Sequence, residues 1–201
     1  MKKEDYLFDM QFLERFSVRP VFLLLSASFI CGITVAGVAV KAFSLLDDRI
    51  IMPLFFSGIP PLGSGFLPCF SSVLLNGLIS LIGVFLLGVT AFGAFGIPVL
   101  MFCKGASVAV SVLFLLDGKG LSELWRSALC FTPATAAVSL LLILFATRAF
   151  VFSGGLARAG FSRHQETLDF QLYFKDFICF ICFSVAVSVI GGLLASIYGM
   201  I

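Results

Sequence analysis

The chain has 201 residues, 60% of them hydrophobic and only 12% charged, with a formal net charge of +2. A soluble domain carries about twice that share of charge, so lipid is the solvent that suits this surface. So small a net charge gives no dense basic face, which argues against nucleic acid as a partner. In chain order, residues 1–20 form a mixed-charge segment with Glu4, Asp5, Asp9 and Glu14 beside Lys2, Lys3, Arg15 and Arg19. It is too acidic for the start of a signal peptide, and no small-x-small cleavage site follows. The first apolar run, 21–40, is therefore expected to stay as an anchor. Each span should hold about 20 residues to cross a ~30 Å hydrocarbon core. The run from Val73 to Leu116 is too long for one helix and divides into spans 73–92 and 97–116. The split falls at Gly93-Ala94-Phe95-Gly96-Ile97-Pro98, where Gly96 and Pro98 suit a tight turn. A fourth span covers 127–150, with Pro133 expected in its first turns, where a missing N–H costs least. A fifth covers 177–201.

The reading is an all-α, polytopic integral membrane protein with five transmembrane helices in a single membrane domain, 1–201. Residues 41–72 form a loop whose part 51–70 is apolar yet carries Pro53, Pro60, Pro61, Pro68, Gly58, Gly63 and Gly65. Lipid cannot satisfy the backbone groups that such prolines free, so interfacial or re-entrant pieces are expected rather than a sixth span. Lys and Arg fall as Lys2, Lys3, Arg15, Arg19, Arg148, Arg158, Arg163 and Lys175 on one side. Lys41, Arg49, Lys119 and Arg126 fall on the other. The positive-inside rule then places 1–20 and the polar loop 151–176 in the cytoplasm and the loop 41–72 outside, with the C-terminus extracytoplasmic.

Few residues invite chemistry. Lys104 is the only charge expected well inside a predicted span, about 9–12 Å from the cytoplasmic turn. No predicted span holds a carboxylate to pair with it, so snorkelling to the interface, or a bond to carbonyls at the turn, is the expected role. In the fifth span, Ser184, Ser188, Gly192 and Ser196 recur every four residues, beside a second row of Gly191, Ala195 and Gly199. Small side chains four apart lie on one helix face and let two backbones approach, either within the chain or with a partner's helix. Cys179 and Cys182 form a C-x-x-C, but the single histidine, His164, lies in a distant polar loop, so no metal is expected. Gly63-Ser64-Gly65 is no nucleophile elbow, adjacent Asp47 and Asp48 have no third ligand nearby, and no Walker loop is present. Neither an enzyme nor a cofactor nor a small-molecule substrate is expected.

Several patterns together resemble stage II sporulation protein M of endospore-forming bacteria. They are Cys31-Gly-Ile-Thr-Val-Ala-Gly37 running to Lys41 with Ser44-Leu45, Asn76 opening the second span, Gly96-Ile97-Pro98, Lys104-Gly105 and Pro133. The likeness covers residues 20–150 and, more loosely, the remainder, with departures at Ala134 and in the apolar loop 41–72. The resemblance implies a non-enzymatic scaffold of the forespore engulfment complex, placed in the septal or engulfing cell membrane. It also implies partners: a membrane-anchored lytic transglycosylase and a cell-wall amidase. The alternative is a small-solute transporter or the permease subunit of an export system. The broken, Gly-rich second-to-third connection favours that alternative, and the absence of a visible inverted repeat opposes it.

Overall fold

A computed structural model describes residues 19–43, 66–116, 121–161 and 170–199. Five helices fill these segments: α1 (Arg19–Phe43), α2 (Phe66–Gly88), α3 (Gly93–Leu116), α4 (Leu121–Phe161) and α5 (Phe170–Gly199). Each contains a stretch of 21 to 26 residues that is long and apolar enough to cross a bilayer. The fold is therefore all-helical and multi-pass, as the composition requires.

The helix limits differ from those of the apolar runs. α2 starts at Phe66, so residues 66–72 are helix rather than loop, and Pro68 sits in the first turn, where its missing N–H would have no partner anyway. The rest of the expected Pro/Gly-rich loop, 44–65, lies outside the described residues. The α2–α3 turn is Val89–Phe92, not 93–98. The Phe92 carbonyl accepts from the N–H groups of Phe95 and Gly96, which starts α3 at Gly93 and puts Gly96 and Pro98 inside the helix. α4 is 41 residues long, about 60 Å at the α-helical rise. Pro133 lies well inside it, yet is the second residue of the membrane-crossing stretch Thr132–Ala157. The expected loop 151–176 is mostly helical: 151–161 extends α4 and 170–176 opens α5.

α4 is the hub and touches all four other helices. α1 lies chiefly against α3, α5 lies against α2 and α4, and α3 makes no contact with α5. The contact registers fix the directions. Ser28 of α1 reaches the Pro98 carbonyl, and further along Gly32 of α1 meets Phe102 and Ala106, so α1 and α3 run parallel. Gly77 meets Val138 and Gly88 meets Ala149, so α2 and α4 run parallel. The ring pairs Phe145–Phe177 and Phe152–Phe170 set α5 antiparallel to α4. The five helices thus alternate in direction.

Two packing modes hold the bundle. Near the α2–α3 turn the core is large and aromatic. Tyr173 stacks on Phe152 at 4.5 Å between centroids and on Phe85 at 5.3 Å, and Phe145 faces Tyr173, Phe177 and Phe180. Such ring pairs contribute about 0.5–1.5 kcal/mol each beyond the area they bury. Elsewhere, small residues let backbones touch. At the α1/α3 crossing, Gly32 and Gly105 lie against each other's helix backbone, where any Cβ would overlap a carbonyl. The outward surfaces carry Leu23, Ile30, Val38, Leu67, Leu75, Leu86 and Val99, all exposed, as a lipid-facing surface must be. Phe92 and Phe95, at 80% and 82% exposure, project at the hairpin end, where aromatic rings favour the membrane interface.

Candidate functional site

Lys104 is the twelfth residue of α3, about 17 Å along the helix from Gly93. That is farther than the apolar run implied, because α3 begins four residues earlier than expected. The position is close to the middle of a ~30 Å core, too deep for a stem that reaches only a few ångströms toward water. Its ammonium instead donates to Asn76 Oδ1 of α2. Asn76 stands about 18 Å from Gly88, the end of its own helix nearest the turn, so the two polar groups meet at one level. Their partnership was legible in the sequence. In an antiparallel hairpin centred near residue 90, positions 76 and 104 are equidistant from the turn. The contacts Leu87–Gly96 and Leu100–Gly83 follow the same pairing. Asn76 is also the chain's single asparagine.

Other charges lie within the apolar stretches. Arg148 is inside Thr132–Ala157, and Lys175 and Asp176 are inside Phe170–Leu194, so the expectation that no span holds a carboxylate does not stand. The ring pairs Phe145–Phe177 and Phe152–Tyr173 bracket Arg148 and Asp176 and bring them to the same level of the α4/α5 interface. α5 was expected to start at Phe177, which hid Asp176 in a loop. Ring packing of Phe170, Tyr173 and Phe174 is what draws this segment into the helix.

The small-residue face of α5 turns toward α2 and α4. Ser184 and Ser188 are fully buried. Gly191 lies on Ala134 Cβ and Val73, and Gly192 on the Phe66 ring and the Phe70 Cβ. The Cys69 thiol reaches the Gly191 carbonyl at 3.9 Å. Ser196, further along, is half-buried, and the side chain of Ala195 lies outside what the structure describes. Ser188 donates to the Ser184 carbonyl at 2.8 Å, while the Ser184 hydroxyl has no partner among the described residues and rests against Gly77.

The hairpin end is tied by polar bonds that the sequence reading missed. Ser153 of α4 donates to the Thr90 carbonyl at 2.7 Å, and the Tyr173 hydroxyl donates to the Phe85 carbonyl at 3.2 Å. Ser28 of α1 donates to the Pro98 carbonyl at 2.8 Å. Buried Ser111 and Thr147 bond back to carbonyls four residues earlier, the usual way a hydroxyl is satisfied in a membrane helix. Among the described residues no three His, Cys, Asp or Glu side chains converge as a metal site. Gly96, Pro98 and Pro133 are helix-interior positions with no chemical role visible in their contacts. Among the described residues the arrangement sets an ammonium beside a carboxamide near mid-span, a pair that suits recognition of an anion or a carbonyl.

Comparison with protein-family models, with curated proteins and with solved structures finds no match to this chain.

Proposed function

We propose that this protein is a non-enzymatic membrane scaffold of a forespore engulfment complex, one that gathers peptidoglycan hydrolases at the septal membrane. The observation that carries the scaffold part is the filled interior. Leu25, Ile97, Met101, Leu142 and Phe145, on three different helices, are all at 1% exposure or less, and the backbones of α1 and α3 touch at Gly32 and Gly105. An interior closed by large side chains suits a rigid support for partners better than a route for solutes. The sporulation setting and the hydrolase partners rest on the resemblance of the sequence motifs. The orientation proposed is N-terminus cytoplasmic and C-terminus outside, from the Lys/Arg bias. A second reading, a small-solute transporter or permease subunit, draws on Lys104 and Asn76 near mid-span, since intramembrane charges often mark substrate paths.

The test is a fluorescent fusion of the full chain followed through sporulation, with affinity recovery of a transglycosylase or amidase. Septal enrichment, hydrolase recovery and arrested engulfment on deletion are expected. Uniform distribution with no hydrolase recovered would overturn the assignment. In the same cells, single cysteines at positions 47 and 119 should react with an impermeant maleimide from outside, and one at 160 should not.

A further inference from the structure

We propose that Lys104, Asn76, Ser107 and Ser139 form a binding site for a small monovalent anion, held at mid-span as a fixed part of the bundle. Such a site would neutralise and tie the interior of the bundle, and it requires neither the sporulation setting nor a partner protein.

Packing brings the four residues together. On α3, Lys104, Ser107 and Ser111 fall at i, i+3 and i+7 and share one helix face. Ser107 and Ser111 are buried, as is Met101 one turn earlier, so this face turns into the bundle. From it the Lys104 ammonium donates to Asn76 Oδ1 of α2. α4 closes the group. Gly77, next to Asn76, meets Val138, so Ser139 stands within about one residue's rise of the same level. Ser139, Ala146 and Ser153 are all buried at seven-residue spacing, which keeps them on one side of α4. The Ser153 hydroxyl donates to the Thr90 carbonyl in the α2–α3 turn, so that side of α4 faces the hairpin. Ser139 therefore faces it at the height of the lysine.

The chemistry of this group selects the ligand. Asn76 accepts through Oδ1, which leaves its amide hydrogens free to donate. The ammonium keeps further hydrogens, and Ser107 and Ser139 add hydroxyls. The Ser111 hydroxyl, by contrast, is committed to the Ser107 carbonyl. The result is a set of donors around a positive charge. The carboxylates on the described helices are Glu123, at the start of α4, and Asp176 of α5, which does not touch α3. A charge at mid-membrane is costly and is normally paired with its opposite, so an anion is the ligand that suits these donors. Size follows from the neighbours. The large core side chains Ile97, Met101, Leu142 and Phe145 lie on the turn side of this level, whereas Ala109, Ser111 and Ala134 follow on the other. Donors placed where a bulky core gives way to small side chains suit a chloride-sized ion rather than an extended organic anion.

The experiment uses the full chain in an uncharged detergent, prepared with gluconate as the sole anion and titrated with chloride at constant ionic strength. Equilibrium dialysis against radioactive chloride should show saturable, stoichiometric binding. The thermal midpoint should rise in step, by about 5–10 °C at a hundred times the dissociation constant. Lys104→Gln should lose both the bound ion and the shift. Asn76→Asp should lose them too, because it supplies a carboxylate from within the chain while keeping the lysine and the side-chain shape. Its midpoint in gluconate, at or above the parent's, identifies internal neutralisation rather than misfolding. Ser139→Ala should weaken chloride binding about tenfold, the effect of one hydrogen bond to a charged group.

Absence of bound chloride in the parent, or binding that survives in Lys104→Gln or in Asn76→Asp, would overturn the proposal. Chloride flux through vesicles holding the full chain, abolished by Lys104→Gln, would overturn the fixed site in favour of the transporter reading. Septal enrichment and hydrolase recovery stand or fall separately, since neither depends on chloride binding to the purified chain.

Discussion

The α1/α3 crossing allows the sharpest quantitative test of the packing. A Cβ placed on Gly32 would lie 2.9 Å from the Phe102 carbonyl carbon and 3.1 Å from the Ala106 nitrogen, with the Phe102 carbonyl oxygen closer still. Gly105 faces the same situation against Phe29 and Ile33. These are helix backbone atoms, so no rotamer change can relieve the overlap and one helix must move. A parting of about 1 Å forfeits roughly a quarter to a half of the attraction at each contact along the interface. Overpacking of this kind costs about 1–3 kcal/mol. Alanine returns about 0.5–1 kcal/mol through its better helix propensity.

Gly37 provides the control, because it lies on the same helix and a Cβ there meets nothing within 4 Å. Gly37→Ala should therefore be neutral or slightly stabilising, and Gly32→Ala should fall about 1–3 kcal/mol below it, since the propensity gain is common to both. Reversible unfolding of the full chain in mixed detergent micelles would measure the gap. Because α1 is held chiefly by α3, the loss should appear first as detachment of α1, seen as faster labelling of a cysteine engineered at Ser28. The double variant Gly32→Ala with Gly105→Ala should lose less than the sum, since both act on one separation. A gap between Gly32→Ala and Gly37→Ala smaller than about 0.5 kcal/mol would refute the backbone-contact account.

On α5, Gly192→Leu should lower the detergent midpoint far more than Leu193→Ala. A side chain at 192 meets Phe66 at 2.8 Å, whereas Leu193 is half exposed to lipid. Equal tolerance of the two would remove the packing role of this face. Tyr173→Phe keeps the ring stack but deletes the bond to the Phe85 carbonyl, so a loss of about 0.5–1.5 kcal/mol in the same unfolding assay is expected. A larger loss would mean that the hydroxyl also orders the Gly88 contact, which a parallel Gly88→Ala variant would expose.

The five crossings were legible because hydropathy alone reports them: a run of about 20 apolar residues has few fates other than a span. Helix ends were not legible, because they depend on packing. Residues 170–176 include Lys175 and Asp176 and read as loop, yet Phe170, Tyr173 and Phe174 stack on Phe85 and Phe152 and extend α5 by two turns. The α1/α3 crossing escaped notice for another reason. Spacing rules look for several small residues on one helix, as at Ser184, Ser188 and Gly192, whereas here each helix contributes one essential glycine. The Lys104–Asn76 bond was within reach once the hairpin was folded about residue 90. It was obscured by placing the turn at 93–98, which set the lysine too near the interface.

The two candidate roles differ in what the bundle must be able to do, and the tethers bear on that. A carrier needs one group of helices to move against another, and the absence of α3–α5 contact would allow α1 with α3 to rock against α2 with α5. The turn Val89–Phe92, however, belongs to both groups. It is bound to α4 through Ser153 and Thr90, and Gly93 brings the Leu87 carbonyl into direct contact with the start of α3. Tyr173 fastens α5 to the same end through the Phe85 carbonyl. Rocking would have to break these part-buried bonds together, at about 1 kcal/mol each. α2 packs on α5 from Phe66, Cys69 and Phe70 at one end to Phe85 at the other, and α3 stays on α1 from Pro98 to Gly105. These contacts along the whole length of both pairs suit a rigid bundle better than one whose halves rock.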